Sequence, residues 1–279
     1  MIRLVGLVVA GLLAGFAGAA PAPQPTVTVL AAGDIAHCGS NGDERTARLL
    51  DRLRGTILAL GDTVYESGTD EEYAECYAPT WGRHRARTRP AVGNHEYGTP
   101  GAAGFFRYFG ARAGPRRGYH AFRLGAWQIV ILNSNCAPAG GCGRGSPQER
   151  WLRGVLARSQ AGCTLAAMHH PRYSSGLHGS DTTLTDLWRT LSAGGADVVL
   201  AGHDHHYERF ALQGGMRQFV VGTGGRSHYP VVRALRGSQA RNTTTYGVLR
   251  LRLAPDRYTW RFVSVAGSTY TDAGSTRCR

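Results

Sequence analysis

Short apolar runs recur along the chain, and each leads into a residue with a metal-binding or acid–base side chain. The segments TVTVLAAGD, TILALGD, RPAVGNH, TLAAMH and DVVLAGH end in Asp34, Asp62, His95, His169 and His203. Runs of this length without polar alternation are typical of strands in a sheet that is covered on both faces. Because ligands of open α/β sheets bind at the carboxyl ends of strands, we expect these side chains to share one edge.

Amphipathic segments separate these strands. DERTARLLDRLRG, SPQERWLRGVLARSQAG and TLTDLWRTLSAGG have helical spacing, with acidic or Ser/Pro starts and glycine ends. Later segments are typical of hairpins, with turns at Gly125, at Gly214 and Gly215, and at Pro255 and Asp256. The alternation predicts an α/β fold class. Since no linker or fixed-period repeat interrupts it, we expect one domain over residues 26–279.

The first twenty residues, MIRLVGLVVAGLLAGFAGAA, have the composition of a secretory signal peptide. One arginine precedes an apolar run that ends in small residues, so cleavage is expected after Ala19 or Ala20. An uncleaved membrane anchor is the alternative, but the run is short and rich in glycine. No later segment is apolar for long enough to span a bilayer. The sequence therefore predicts a secreted, extracellular protein without stable membrane insertion.

Six cysteines agree with export, because an even cysteine count in a secreted chain is typical of disulfides. Six cysteines allow 15 pairings. Cys136 and Cys142 bracket the short loop CAPAGGC and form the favoured pair. Among the remaining alternatives, the pairs Cys38 with Cys76 and Cys163 with Cys278 would each tie a loop or terminus to the domain. A structural zinc site is disfavoured, since no two cysteines have the two-residue separation such sites use.

The formal net charge of +13 would attract anionic substrates. All 32 basic residues are arginine, which is typical of a GC-rich genome and weakens the argument for a dedicated nucleic-acid-binding surface. Only the segment WGRHRARTRP, with Arg83 to Arg89, is densely basic. The charge alone therefore leaves open whether the substrate is a small anion or a nucleic acid. The oligomeric state is left open.

Seven side chains at the predicted strand ends have the chemistry of metal ligands. They offer carboxylate, phenolate, carboxamide and imidazole groups, a mixture that suits iron, zinc and manganese. Seven ligands are too many for one ion and suit two ions that share a bridging carboxylate. The seven are Asp34, Asp62, Tyr65, Asn94, His169, His203 and His205.

The motifs GDIA, GDTVY, GNHEY, MHHPRY and GHDHHYER resemble, in order and form, those of the calcineurin-like metallophosphoesterases and specifically of the purple acid phosphatases. Many phosphodiesterases of that superfamily have a histidine where this chain has Ala36. A tyrosine three residues after the second aspartate, here Tyr65, belongs to the purple acid phosphatase pattern. The resemblance implies a four-layer α/β/β/α sandwich with two mixed sheets.

The resemblance also implies how the ligands are divided between two metal ions. The first ion would be held by Asp34, Asp62, Tyr65 and His205. The second would share Asp62 and add Asn94, His169 and His203. The implied metals are Fe(III) together with Fe(II), Zn(II) or Mn(II). His37, His170 and His206 are interpreted as residues outside both ligand sets.

Further residues of the motifs have roles implied by the same resemblance. His95, oriented by Glu96, would donate a proton to the phosphoryl group or leaving oxygen, and His178 would be a second donor. Arg226, in the glycine-rich segment GTGGRS, is a candidate substrate contact. The implied activity is hydrolysis of phosphate monoesters through attack of a metal-activated hydroxide on phosphorus. A phosphodiesterase or nuclease with the same site is the main alternative, and a non-catalytic metal- or phosphate-binding protein is a more distant one.

Overall fold

A computed structural model describes residues 1–2 and 25–279 of the 279-residue chain. The predicted signal peptide lies, apart from its first two residues, outside the described residues. Among the helices that are described, none combines the length and the apolar character needed to cross a membrane.

Thirteen strands lie within the described residues. They are β1 Val27–Ala32, β2 Thr56–Leu60, β3 Thr88–Ala91, β4 His120–Leu124, β5 Trp127–Ile131, β6 Cys163–Ala167, β7 Val198–Ala201, β8 Tyr207–Phe210, β9 Arg217–Val221, β10 Ser238–Asn242, β11 Gly247–Ala254, β12 Arg257–Ser264 and β13 Ala273–Arg277. The described α-helices are α1 Gly42–Arg52, α2 Asp70–Glu72, α3 Ala103–Phe109, α4 Pro147–Arg158 and α5 Thr185–Ala193. A π-helical turn, Tyr73–Tyr77, continues α2, and 3₁₀ turns cover Trp81–Arg87, His95–Gly98, Pro100–Ala102, Gly110–Ala113 and Thr182–Leu184.

The strands form two mixed sheets. The first has the order β13-β12-β11-β1-β2-β3, and the second has the order β10-β8-β9-β7-β6-β5-β4. Strands β1, β2 and β3 are parallel to one another, as are β5, β6, β7 and β9. Antiparallel strands complete both sheets, and three hairpins turn where the sequence predicts, between β4 and β5, β8 and β9, and β11 and β12.

Alternating side chains of the second sheet define the layers. Ile129, Leu165 and Leu200 belong to the large core that the second sheet shares with the first. Their chain neighbours Val130 and Ala166 point the other way, into a smaller core with leucines of α4 and α5. Helix α1 packs against β11 of the first sheet. The molecule is therefore an α/β/β/α sandwich, as the resemblance implied, because successive side chains of a strand face opposite sides.

The described residues contain three disulfides, which are the favoured pair and the two pairs that were left among the alternatives. Cys38 bonds to Cys76, Cys136 to Cys142 and Cys163 to Cys278. The third bond joins the start of β6 in the second sheet to the residue after β13 in the first sheet. All six cysteines are paired.

Candidate metal centre

The proposed ligands meet where the parallel strands of both sheets end. Asp34 and Asp62 follow β1 and β2, and Asn94 follows β3. His169 and His203 follow β6 and β7 of the second sheet. The two sheets therefore contribute ligands from their carboxyl edges, as the pattern of apolar runs predicts.

The Tyr65 hydroxyl is the middle of one group of donor atoms. Its oxygen lies 3.0 Å from Asp34 Oδ1, 3.2 Å from Asp62 Oδ2 and 3.1 Å from His205 Nε2. His205 Nε2 is also 3.4 Å from Asp34 Oδ1. These four residues are the set that the resemblance implied for the first metal.

His169 Nε2 is the middle of a second group. It lies 3.1 Å from Asp62 Oδ2, 3.0 Å from Asn94 Oδ1 and 3.2 Å from His203 Nδ1. Donor atoms that share an ion at about 2.1 Å are separated by roughly 3 Å, so both groups have the spacing of a metal ligand set. Asp62 Oδ2 belongs to both groups, which is the position of a bridging carboxylate.

Hydrogen bonds on the far side of the imidazoles orient them. His169 Nδ1 donates to the Leu60 carbonyl at 2.8 Å, and His205 Nδ1 lies 2.6 Å from Ser227 Oγ. The His205 ring also stacks on Tyr229, with ring centres 3.9 Å apart. In metal sites, the second ring nitrogen of a ligand histidine makes such a bond and directs the first nitrogen to the ion.

Three ligands have an unusual backbone conformation, and the glycines that precede them lie in close contact with neighbouring strand ends. Asp34, Asp62 and His203 have φ of 60°, 45° and 71°, which is costly for residues other than glycine and is concentrated at functional sites. A Cβ on Gly202 would lie 2.6 Å from Asp34 Oδ2, and one on Gly61 would lie 2.6 Å from His169 Nδ1. Glycine is therefore required where the strand ends approach one another closely.

The electrostatics of the centre favour bound cations. Burial opposes protonation of His169, but Asp62 and Asp34 outweigh burial and raise the His169 pKa to about 10. Burial likewise opposes ionisation of Asp62, but the His169 charge outweighs it and lowers the Asp62 pKa. Burial and both carboxylates raise the pKa of Tyr65. Asp62 is thus ionised, whereas His169 and Tyr65 retain protons that bound metal cations would displace.

The donor chemistry fits two metal ions. Asp34 and Asp62 are buried, and within the described residues their ion-pair partners are histidines and not arginines. Burial and the charges of His169 and His170 lower the His203 pKa to about 2, which leaves its imidazole in the neutral form that binds metals. Two buried carboxylates this close need a compensating positive charge.

Glu96 does not orient His95, which corrects the pairing expected from the sequence. Its carboxylate accepts hydrogen bonds from the backbone N–H groups of Asp62, Thr63 and Gly93 at 3.0, 2.6 and 2.6 Å. Glu96 is fully buried, and burial together with the Asp62 carboxylate raises its pKa. The residue instead fixes the two loops that carry Asp62 and Asn94.

His95 lies at the edge of the centre and takes its orientation from Glu66. Its Nδ1 is 2.6 Å from the Glu66 carbonyl oxygen, and its Nε2 is 3.9 Å from Asp62 Oδ2. The Glu66 carboxylate also accepts a 2.6 Å bond from Arg226, whose guanidinium lies 5.1 Å from the Tyr65 ring centre. The predicted proton donor and the predicted substrate contact therefore lie on the same side of the centre.

His178 also reaches the centre. Its ring centre is 4.5 Å from that of His203, and its backbone N–H donates to the buried Asp204 at 2.9 Å. His170 lies closer to the ligands than expected, since it, His169 and His203 each bring a possible ligand atom within 4.8 Å of the other two.

Two other histidines lie outside the ligand groups, as interpreted from the sequence. His206 is fully buried and pairs with Glu208, with 3.2 Å between Nε2 and Oε2. It is therefore not a surface residue. His37 Nε2 is 3.6 Å from a Glu66 carboxylate oxygen.

Several residues of the site are missed by reasoning from the sequence. Ser227 and Tyr229 contact His205 from the segment GTGGRSHYP, where only Arg226 had been a candidate. Glu66 directly follows Tyr65, the last residue of the GDTVY motif, and this position could have indicated that Glu66 lies near the metal centre. Asp204 lies within the histidine-rich motif, but its partner Ser174 is 30 residues away and no local pattern predicts the contact.

Comparison with known proteins agrees with this geometry. A family model described as calcineurin-like phosphoesterase matches residues 19–207. An uncharacterised protein of Mycobacterium tuberculosis is 30% identical over 166 residues, which cover 51% of this chain and 30% of that protein. The match thus spans less than a third of the length of that relative.

Solved structures share the fold at low sequence identity. Purple acid phosphatase PPD1 from yellow lupin seeds has a TM-score of 0.73 and 16% identity, over 92% of this chain and 54% of that chain. A dimetal phosphatase from Danio rerio has a TM-score of 0.63 and 13% identity, over 91% of this chain and 100% of that chain. Because the family model covers more than half of the sequence, the protein belongs to the calcineurin-like phosphoesterase family.

Proposed function

We propose that the protein is a dimetal phosphoesterase that hydrolyses phosphate monoesters, as its similarity to a purple acid phosphatase suggests. The observation that carries this proposal is the position of Asp62 Oδ2, within 3.2 Å of both Tyr65 Oη and His169 Nε2. One buried carboxylate oxygen thereby joins two complete sets of donor atoms. The structural similarity to a lupin purple acid phosphatase and to a Danio rerio dimetal phosphatase supports the same class of reaction.

The proposed ligand sets are those described above, with Asp34, Tyr65 and His205 on one side of Asp62 and Asn94, His169 and His203 on the other. When bound, the two ions would clamp the phosphate oxygens and supply a nucleophile from water near neutral pH. The phenolate of Tyr65 suits Fe(III), and the amide and imidazoles of the second set suit Fe(II), Zn(II) or Mn(II).

The side chains around the ligands have matching roles in this proposal. His95, whose side chain is 32% exposed, is placed to give a proton to the leaving oxygen. The Glu66 carbonyl holds its Nδ1–H and leaves Nε2 directed toward the centre. Arg226 would contact the non-bridging phosphate oxygens, and His178 would contact the substrate from the opposite, His203 side.

The diesterase alternative loses part of its support. The basic segment that motivated it is occupied in structural contacts, since Arg83 pairs with Glu44 and Asp51 at 2.8 and 2.9 Å. Arg87 donates to two backbone carbonyls, and Arg85 lies over the Tyr108 ring at 5.0 Å. These arginines stabilise the 3₁₀ turn and are poorly placed to serve as a track for a polyanion.

A paired assay tests the proposal. Purified, metal-loaded protein would be given p-nitrophenyl phosphate and bis-p-nitrophenyl phosphate, and metal content would be measured in the same samples. We expect a higher kcat/KM for the monoester.

A variant tests the ligand assignment. Asn94→Ala should lose one of the two metals and roughly 100-fold in turnover, because it removes a ligand of only one set. A diester preference would favour the alternative, and unchanged metal content in Asn94→Ala would contradict the ligand assignment.

We also propose that the protein is secreted. The support is the predicted signal peptide and the pairing of all six cysteines, which is expected in an oxidising compartment.

A further inference from the structure

His170 lies beside the metal centre and has no role in the function proposed above. Its ring centre is 4.9 Å from that of His169 and 4.4 Å from that of His203. One ring nitrogen of each of these three residues lies within 4.8 Å of the other two. A metal ligand, a substrate contact and a purely structural residue are all compatible with this position. The hydrogen bonds of the His170 ring distinguish the first two.

The hydroxyl of Ser134 determines which ring nitrogen of His170 carries a proton. Ser134 is buried, and its Oγ accepts a hydrogen bond from the His170 backbone N–H at 2.8 Å. The same oxygen lies 2.8 Å from His170 Nδ1, which is the only acceptor for the hydroxyl proton within the described residues. Buried donors are nearly always paired, so Ser134 donates to Nδ1. The proton of the neutral imidazole is therefore on Nε2.

This tautomer excludes His170 from the metal ligands. A ligand nitrogen must offer a free lone pair to the ion. The lone pair of Nδ1 accepts the Ser134 hydroxyl, and Nε2 carries the proton. Protonation of the ring would not free a lone pair, since both nitrogens of an imidazolium are donors. His170 thus presents an Nε2–H donor in either charge state.

The order of the strands places this donor on the side of the metal centre. In the second sheet, β6 lies between β5 and β7. Ser134 follows β5, His170 follows β6 and His203 follows β7, so Ser134 and His203 flank His170 from opposite sides. Because Nδ1 is directed toward Ser134, Nε2 is the nitrogen on the His203 side. It has no partner within the described part of the chain, yet it is not shielded from solvent.

We propose that His170 is a catalytic residue whose Nε2–H donates a hydrogen bond to a non-bridging oxygen of the reacting phosphoryl group. This inference rests on the proposed function. The bond would stabilise negative charge on that oxygen while water attacks phosphorus, without transfer of the proton. Arg226 and His95 both lie against the Tyr65 ring. His170 would supply a donor from the other side of the centre, beside His203.

The test compares His170→Leu with His170→Gln in metal-loaded protein. Leucine removes the donor at similar size, whereas the glutamine amide can place an N–H near the position of Nε2. Metal content, binding of inorganic phosphate by calorimetry and kcat/KM for p-nitrophenyl phosphate would be measured. We expect His170→Leu to keep both metals, to bind phosphate more weakly and to lose about 10- to 100-fold in kcat/KM, since a hydrogen bond to a charged group is lost. His170→Gln should recover much of both losses.

His84→Leu is the matched control. His84 belongs to the 3₁₀ turn that precedes β3, whereas the ligand Asn94 follows β3, so His84 lies at the opposite end of the strand from the centre. Its replacement should change none of the three measurements. A similar loss in His84→Leu would attribute the effect to the removal of any histidine and would overturn the inference.

Other outcomes separate the inference from the proposed function. Loss of a metal in His170→Leu would identify His170 as a ligand and overturn the inference alone. Equal losses in His170→Leu and His170→Gln would show a packing role and overturn it too. Absence of turnover of every ester by wild type would overturn the proposed function, and equal phosphate affinity of wild type and His170→Leu would then overturn the inference separately.

Discussion

Two glutamates next to the metal ligands have separate roles that the sequence alone does not distinguish. Glu96 follows His95 directly and was expected to orient it, whereas the structure directs Glu96 to backbone N–H groups of Asp62, Thr63 and Gly93. Glu66 is distant in the sequence and contacts His95 and Arg226. Motif spacing identifies residue types at a site, but the direction of a side chain depends on packing that spacing does not contain.

Glu96→Gln and Glu66→Gln should therefore have different effects. In Glu96→Gln a charged acceptor of several buried hydrogen bonds is lost, so we expect a decrease of about 2 kcal/mol in the free energy of unfolding. Glu66→Gln, at an exposed side chain, should leave stability unchanged and weaken the hold on Arg226, which raises KM. Urea denaturation and steady-state kinetics measure both effects. The opposite result, a stable Glu96→Gln with an altered pH profile of kcat, would restore Glu96 as the partner of His95.

At the scale of elements, the apolar runs predict the interior strands well and the edges poorly. β1, β2, β6 and β7 are interior strands with apolar sequences, and all four form with their chemistry at the predicted end. β3, at one edge of the first sheet, is the exception, since it forms within the predicted run RPAVGNH. β10 and β13 have the sequences SQARN and AGSTR, and both are outermost strands of their sheets. An edge strand that buries little has no hydrophobic period to detect. Such a strand depends on its neighbours.

The disulfide between Cys163 and Cys278 should help to hold β13 in its sheet, because Cys278 directly follows this strand. It joins the two sheets across a sequence separation of 115 residues. Replacing both cysteines by serine should cost about 2–5 kcal/mol in the free energy of unfolding, because closing a long loop restricts the unfolded chain. The midpoint of thermal unfolding should fall by on the order of 10 °C.

The bond between Cys136 and Cys142 provides the comparison, since it spans a separation of only 6 residues. Its removal should cost about 2.5 kcal/mol less than removal of the long-range bond, because the loop-closure entropy grows with the logarithm of loop length. Calorimetry of the two double-serine variants measures the difference. Equal losses would argue against loop closure as the source of the stabilisation.

For the whole molecule, charge is distributed unevenly between surface and centre. The net charge of +13 comes entirely from arginines, and in the basic segment Arg83 forms ion pairs and Arg87 donates to backbone carbonyls. The carboxylates of Asp34 and Asp62 are instead buried beside histidines. The excess of positive charge is therefore compatible with a buried centre that contains carboxylates, and composition alone does not reveal that centre.

Removal of the metals should make stability depend on pH in a characteristic way. Without metal, folding raises the His169 pKa from 6.5 to about 10, so this group stabilises the fold below pH 6.5 and its contribution is lost as pH rises toward 10. Folding lowers the Asp62 pKa from 3.8, so that contribution is present above about pH 4 and is lost at lower pH. The metal-free protein should be most stable between these limits.

With metals bound, the stability of the protein should no longer fall as pH rises above 6.5. A ligand histidine must be neutral, so protons compete with metals below the His169 pKa of about 10, and the stabilisation by metals grows as pH rises toward that value. We therefore expect the difference in unfolding temperature between metal-loaded and chelator-treated protein to increase from pH 5 to pH 9. His169→Asn should reduce that increase, because it removes the titrating group from the shared ligand set. A difference that stays constant with pH would mean that His169 is not a metal ligand.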